Sequence, residues 1–309
     1  MARAIPAPVT RPKTKKSLRT VRRQDWLWAV LFLGPNLALF GLFMAWPVAY
    51  GFWISLHKWD FITEPEWRGL DNYRYVFEDP LTPTLIKNTI YYVGGCTIPL
   101  IGVALGTAVL LNAVSRFKVV WRGIYFLPLV MSSVAAAVVW NWLYARDAGL
   151  INFGLSKVGI GSTDWLFNTD WAMPAVVLMT VWKLLPFNTI LFLAGLQEIP
   201  VHLYEAAEID GASSWRRFRD ITLPLITPTT FFVLLITLFG LLFGSFDIIN
   251  VMTQGGPLDA TNIFIYNIYQ NGFQYFDMGY ASAQAYLLFV VVFVLTILNF
   301  RLQKRWVHY

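Results

Sequence analysis

The sequence predicts an all-α integral membrane protein that crosses the bilayer six times, with both termini on the cytoplasmic side. Three observations carry this expectation. First, the 309 residues are 57% hydrophobic and only 14% charged, with a mean hydropathy of +0.53. That leaves too little polar surface for a soluble chain of this length, so lipid must supply much of the solvent. Second, the apolar residues form continuous runs instead of the alternation of barrel strands, which points to helices. Third, the basic residues collect between alternate runs.

A hydrocarbon core of about 30 Å needs about 20 mostly apolar helical residues. Six runs qualify: Trp26–Leu56, Leu85–Val114, Val119–Tyr144, Trp171–Leu196, Thr229–Val251 and Ala281–Arg301. Residues 1–25 form a basic cytoplasmic tail, too poor in apolar residues for a core and expected to be disordered at its start. The run after it is too long for a signal peptide, and no small-residue cleavage site closes it. It reads as a retained anchor, so residues 26–309 form one transmembrane domain. The aromatic share of 17%, with 14 Trp, suits two membrane interfaces.

Orientation follows from Lys and Arg. Eight of the 24 precede the first run; Arg116, Lys118 and Arg122 cluster in the second loop, Arg216, Arg217 and Arg219 in the fourth, and Arg301, Lys304 and Arg305 at the end. The alternate loops hold only Lys58, Arg68, Arg74, Arg146 and Lys157, and none between Met252 and Tyr280. The positive-inside rule makes both termini and the second and fourth loops cytoplasmic. The net charge of +6 is therefore topology, and nucleic acid is excluded as a partner.

In the second run, Cys96 is the single cysteine, which rules out an internal disulfide framework and reads as a small packing residue. The third run carries Asn141 between Trp140 and Trp142. The fourth carries Trp182, Lys183 and Asn188, with Pro186 expected to kink the helix and open a cavity. An ammonium in hydrocarbon costs about 2.5–3.5 kcal/mol on insertion scales, so Lys183 is expected to face the bundle interior. Two readings of it stand side by side. It lines a polar path and donates to solute oxygens, or it pairs with a carboxylate or backbone carbonyls and fixes packing. Asp247 and Asn250 lie near the outer end of the fifth run. Asn141, Asn188, Asp247 and Asn250 could each line a path or form an interhelical hydrogen bond. Trp140, Trp142 and Trp182 offer ring faces to a sugar, or serve as belt and packing aromatics. Before the sixth run, the Tyr- and Phe-rich stretch from Gly255 is expected to be an interfacial amphipathic segment. Together with the acidic loop Lys58–Pro83 it is a candidate docking surface, where charge would guide encounter.

The fourth loop, about residues 198–228, is different. The stretch "EAAEIDGASSWRRFRDITLPLITP", Glu205 to Pro228, holds seven charged residues between two apolar runs. A short helix is predicted to end at Gly211, which accepts a left-handed conformation. Ser213 or Ser214 would cap a second helix, with Trp215, Phe218 and Ile221 on one side. Pro224 and Pro228 are expected to stop that helix and restart the chain as the fifth run.

This stretch closely resembles the EAA loop of ABC importer permeases, in Glu205-Ala206-Ala207, Asp210-Gly211-Ala212, Phe218, Ile221, Leu223-Pro224 and Pro228. "GSFDIINVMTQGGP" (Gly244 to Pro257), "VWKLLPFNTILFLAGLQEIP" (Val181 to Pro200), "DMGYASAQAYLLF" (Asp277 to Phe289) and "RGIYFLPLVMSSVAAAVVWNWLY" (Arg122 to Tyr144) resemble the maltose-type carbohydrate uptake subfamily. The TQGGP ending resembles the first of the two permease chains such systems encode. The resemblance implies that the loop is a coupling helix seated in a cytoplasmic ATPase, through Glu205, Ala206, Ala207, Asp210, Gly211, Phe218 and Pro224. It implies a second related permease chain, two ATPase subunits and an extracytoplasmic solute-binding protein, in a prokaryotic cytoplasmic membrane. The implied solute is a sugar, with a polyol or glycerol phosphate as its rival.

The chain contains no Gly-Lys pair and hence no phosphate loop. ATP and Mg would be bound by the partner ATPases, and this chain is expected to hold no cofactor, no metal and no catalytic residue. His202 and Glu205 lie one turn apart but read as a solvated pair and not a metal site. A stand-alone secondary transporter or channel is the competing reading; it leaves the Glu205 stretch unexplained.

Overall fold

The computed structural model describes residues 18–113 and 118–306, so the start of the basic tail, Val114 and Arg116 lie outside the described residues. Two compact units divide the chain, residues 1–53 and 54–309. The first holds helix α1 (Leu18–Phe40), a π-helical turn (Gly41–Ala45) and most of α2 (Trp46–Ser55). Its aromatic rings stack along the helix, Trp28 on Phe32 at 5.9 Å and Tyr50 on Trp53 at 5.6 Å.

The second unit begins with a small hairpin. Strand β1 (His57–Lys58) pairs antiparallel with β2 (Glu66–Trp67), His57 opposite Trp67. Asp60 closes its turn by accepting from the Thr63 N–H (2.8 Å), the Thr63 hydroxyl (2.7 Å) and the Ile62 N–H (3.0 Å). Those donors, the Thr63 N–H first, hold the Asp60 carboxyl below the usual carboxylate range. Next come α3 (Asp71–Glu78), α4 (Thr82–Ala113), α5 (Lys118–Val130), α6 (Ser133–Leu143), α7 (Leu150–Lys157) and α8 (Ala172–Glu198). The cytoplasm-assigned loop folds as α9 (Val201–Ile209), α10 (Ser214–Arg217), a π turn (Phe218–Thr222) and α11 (Leu223–Leu225). Helices α12 (Thr227–Phe243), α13 (Phe246–Met252), α14 (Phe264–Tyr269), a π turn (Gln270–Gln274) and α15 (Met278–Trp306) complete the chain.

Among the described residues, four helices are long and apolar enough to cross a membrane: Trp28–Ser55, Thr82–Ala113, Ala172–Glu198 and Met278–Gln303. Two bent helix pairs raise the number to as many as six. Helix α8 is the hub, and it runs through Pro186 as one element. Around it, Tyr92, Cys96 and Leu100 of α4 meet Ala136 and Ala137 of α6, Val176 and Met179 of α8, Ile249 of α13 and Tyr266 of α14. A second cluster joins Ala104 and Ala108 of α4 to Phe192 and Leu196 of α8, Ile226, and Val233 of α12. Gly195 lets α8 and α12 approach, because a Cβ there would collide with the Thr229 side chain.

Three expectations need correction. The third apolar run is not one straight span. It breaks at Met131–Ser132, and the two halves are bent by 108°. Ser132 starts α6 with an extended backbone, and its hydroxyl accepts from the Ala135 N–H at 3.1 Å, so the run carries its own helix cap in mid-course. The fifth run also divides, at Gly244–Ser245, between α12 and α13. The segment after Pro257 is not wholly a surface segment: Thr261, Asn262, Ile263, Tyr266 and Asn267 are buried, while Leu258, Phe273 and Tyr275 are exposed. Polar groups of neighbouring helices permit the burial by supplying partners. Asn88 donates to the Asp259 and Asn262 carbonyls (2.7 and 3.0 Å), and Gln284 donates to Asn267 Oδ1 (2.8 Å).

Candidate functional site

The stretch from Pro200 to Ile226 is built as two short helices joined at a tight end. Helix α9 closes with a pair of reversed bonds, Gly211 N–H to the Glu208 carbonyl (3.0 Å) and Ala212 N–H to the Ala207 carbonyl (2.9 Å). Gly211 has φ +76° and is the left-handed residue that this closure requires. Ser213 then caps α10, its hydroxyl accepting from the Arg216 N–H at 3.3 Å.

Two side-chain links hold the helices together. Arg217 donates to Glu208 (2.9 Å), and the Tyr204 and Thr222 hydroxyls share a hydrogen bond of 2.9 Å. Trp215 and Phe218 pair with ring centroids 5.7 Å apart. Arg219 donates to Asp220 at 2.8 Å with Arg216 close by, which holds the Asp220 carboxyl below the usual carboxylate range. Pro224 and Pro228 bracket the break that the sequence predicts: the second helix ends at Leu225, and α12 restarts at Thr227 with Pro228 in its first turn. The wider π turn before Pro224 takes up its ring, and the chain stays helical to Leu225, bent by 63° from α12.

The element has two sides. Tyr204, Ile221 and Leu225 pack on the cluster around Phe192. Glu205, Ala206, Asp210 and Gly211 face solvent, and Ala207, Phe218 and Pro224 are half-buried. Ile209 is 87% exposed and Trp215 68%, so the outward side also presents apolar surface to solvent.

The polar residues of the apolar runs have other tasks. Lys183 is buried and donates to the carbonyls of Pro128 (2.7 Å) and Met131 (2.5 Å), at the break of the third run. No carboxylate pairs with it among the described residues. Asn141 donates to the Val251 carbonyl (3.0 Å) near the end of α13, while its Oδ1 is buried without a partner. Asn188 accepts from Thr237 at 3.0 Å and so joins α8 to α12. Trp182 packs on Trp140 with centroids 5.5 Å apart. Asp247 is exposed and Asn250 half-buried. The structure thus brings Trp182 and Lys183 to α5 and α6 and Asn141 to α13, but leaves Asp247 open. One half-buried group escaped sequence reasoning: the hydroxyls of Thr107, Tyr125 and Thr189 meet at 2.8–3.2 Å and join α4, α5 and α8. Its only signal is hydroxyls within apolar helices.

This arrangement, long apolar helices with a charged two-helix element packed against them after α8, agrees with the sequence match that decides the family. Residues 99–308 match the family model of the binding-protein-dependent transport system inner membrane component. The chain belongs to that family. This permease is 38% identical over 288 residues to the sn-glycerol-3-phosphate transport system permease protein UgpA of Yersinia pestis bv. Antiqua (strain Antiqua), covering 92% of this chain and 96% of the relative. It is 36% identical over 296 residues to the protein of the same description from Escherichia coli (strain UTI89 / UPEC), covering 95% and 99%. Its fold is similar to a chain in the crystal structure of a bacterial alginate ABC transporter in complex with alginate pentasaccharide-bound periplasmic protein. The TM-score is 0.82 at 25% identity, over 94% of this chain and 98% of that one. The permease is therefore a multi-pass membrane component of a binding-protein-dependent ABC importer of the carbohydrate uptake type, a transport subunit and not an enzyme.

Proposed function

We propose that this permease is one half of the translocation pathway of an ATP-driven importer in a prokaryotic cytoplasmic membrane, taking up a sugar, a polyol or glycerol phosphate. A second related permease chain forms the other half. Two cytoplasmic ATPase subunits, which bind ATP and Mg, drive the pair, and an extracytoplasmic binding protein delivers the solute. The permease crosses the membrane six times with both termini inside, the two bent helix pairs each counting as one span.

The observation that carries this reading is the two-helix element of residues 200–226. Its inward side is fastened to the helical bundle by Tyr204, Ile221 and Leu225, and its outward side offers Glu205, Ala206 and Ile209. A coupling device has to meet both conditions, contact with a moving partner and rigid attachment to the helices that must move. Glu205 supplies a carboxylate to a basic partner group, and Ala206 admits close approach. Closure of the ATPases on ATP would press the two levers together and open the pathway outward; hydrolysis would return it inward. Asp247 and Asn250, with Asn141 and Trp182, are proposed to line the path, with Asn188 and Lys183 behind them.

The test is purification of the tagged permease from native membranes. An ATPase chain should accompany it, and nucleotide hydrolysis should rise on adding solute-loaded binding protein. Glu205→Ala should weaken that association while the permease remains folded. Solute movement through vesicles holding the permease alone, with no nucleotide, would show the proposal to be wrong.

A further inference from the structure

We propose that Lys183 is a latch: its ammonium fixes the elbow of the third apolar run and ties that elbow to the helix leading into the Glu205 element. The inference rests in part on the coupling role proposed above, but its first half stands on geometry alone.

An α-helix leaves its last four carbonyls without internal partners, and these carry the negative end of the helix dipole. At the end of α5 the chain bends by 108° into α6. The freed carbonyls lie within an apolar run, where water cannot be counted on to satisfy them. Lys183 Nζ reaches two of them, Pro128 at 2.7 Å and Met131 at 2.5 Å. One cation thus caps α5 and grips the first residue beyond it. An apolar side chain would leave both oxygens unpaired, which removes the reason for the elbow to hold one angle.

The position of Lys183 gives the latch a second consequence. It stands on α8, which runs on to Glu198, and Pro200 then opens α9. From Lys183 to the end of α8 is about 22 Å at the helical rise. A displacement of the lever reaches α8 directly, and the ammonium carries it to the elbow. Helix α6 passes it on, because Asn141 donates to the Val251 carbonyl at 3.0 Å and so holds the end of α13. Lever, hub helix, elbow and outer helix form one train of contacts. Lys183 acts in it as a positioning residue, without touching solute.

The elbow angle can be read with spin labels at Leu127→Cys on α5 and Val139→Cys on α6, both exposed, in a Cys96→Ser background of the full chain purified with its associated subunits. A single narrow distance distribution is expected in the parent. Lys183→Met should broaden and shift it, and Lys183→Arg, which keeps a cation able to donate to both carbonyls, should restore it. In transport assays Lys183→Met should lower the maximal rate while leaving the half-saturating solute concentration unchanged. An unaltered distribution in Lys183→Met overturns the latch. So does a raised half-saturating concentration with an unaltered distribution, which would make Lys183 a solute contact. Should Lys183→Met fail to accumulate, Lys183→Gln takes its place: its amide reaches one carbonyl, and an intermediate width is expected, parental width again overturning the idea. Because the labels report without any ATPase action, a failed coupling role and a failed latch give different results.

Discussion

Replacing Gly211 with valine isolates the joint of the two-helix element. A Cβ at Gly211 has nothing within 4 Å, so the added β-carbon meets open space. The cost lies in the backbone. At φ +76° a residue with a side chain costs about 1–2 kcal/mol, most for a β-branched one. That penalty falls on the two reversed bonds, Gly211 to Glu208 and Ala212 to Ala207. Converted at about 1.4 kcal/mol per decade, it shifts the helix end roughly 5- to 30-fold toward the open form. The fold of the transmembrane helices should be indifferent, and the melting temperature of the solubilised permease unchanged. The quantity that should fall is the amount of ATPase retained on the permease through purification, together with solute-stimulated hydrolysis. Gly211→Asn is the control, since asparagine enters the left-handed region at lower cost. Valine behaving as wild type, or asparagine failing as badly as valine, would refute the assignment of Gly211 as the structural joint of a working lever.

Gly195→Ala places a Cβ 2.8 Å from both the Cβ and Cγ2 of Thr229, and should lower stability by about 1–3 kcal/mol in a melting assay; Thr229→Gly on top of it should recover part of the loss. Ser132→Ala removes the cap of α6 and should cost about 0.5–2 kcal/mol in chemical unfolding, with faster proteolysis near the bend. Glu208→Gln breaks the ion pair with Arg217, whose partner side chain is 70% exposed. It should cost only about 0.2–1 kcal/mol, an effect that shrinks as salt is added. Tyr280→Phe loses the 2.7 Å bond to Asp79; hydrogen exchange in α3 should speed up, while transport by a permease still inserted should persist.

Much of the architecture was legible in the sequence because lipid imposes a length rule that a run of apolar residues either meets or does not. Helices α4, α8 and α15 fall within a few residues of the runs read for them. The joint at Gly211 and a cap at Ser213 or Ser214 were legible for a different reason: each is local backbone chemistry with a residue-specific signature. The breaks were not. "LPLVMSSVAAAVVW" is as apolar as any span, and hydropathy cannot distinguish a straight helix from one bent by 108°. At this bend two carbonyls find their donor in a lysine 52 to 55 residues further on. For the same reason the sequence left the polar residues of the runs open between path-lining groups and internal hydrogen bonds. Lys183, Asn141 and Asn188 each have a partner, a freed carbonyl or a threonine, that only the folded chain brings near. The buried part of the segment after Pro257 was misjudged likewise, its burial being made possible by Asn88 and Gln284 from distant helices.

The sharpest test puts a photo-crosslinking amino acid at Ile209, 87% exposed on the outward side of α9, in intact cells. Irradiation should join the permease to one cytoplasmic chain that binds and hydrolyses ATP, and a probe at Leu258 (91% exposed), beyond the other end of the bundle, should not. Capture at Ile209 of extracytoplasmic proteins alone, with no ATPase among the products, would contradict the assignment of this element as the point where nucleotide energy enters.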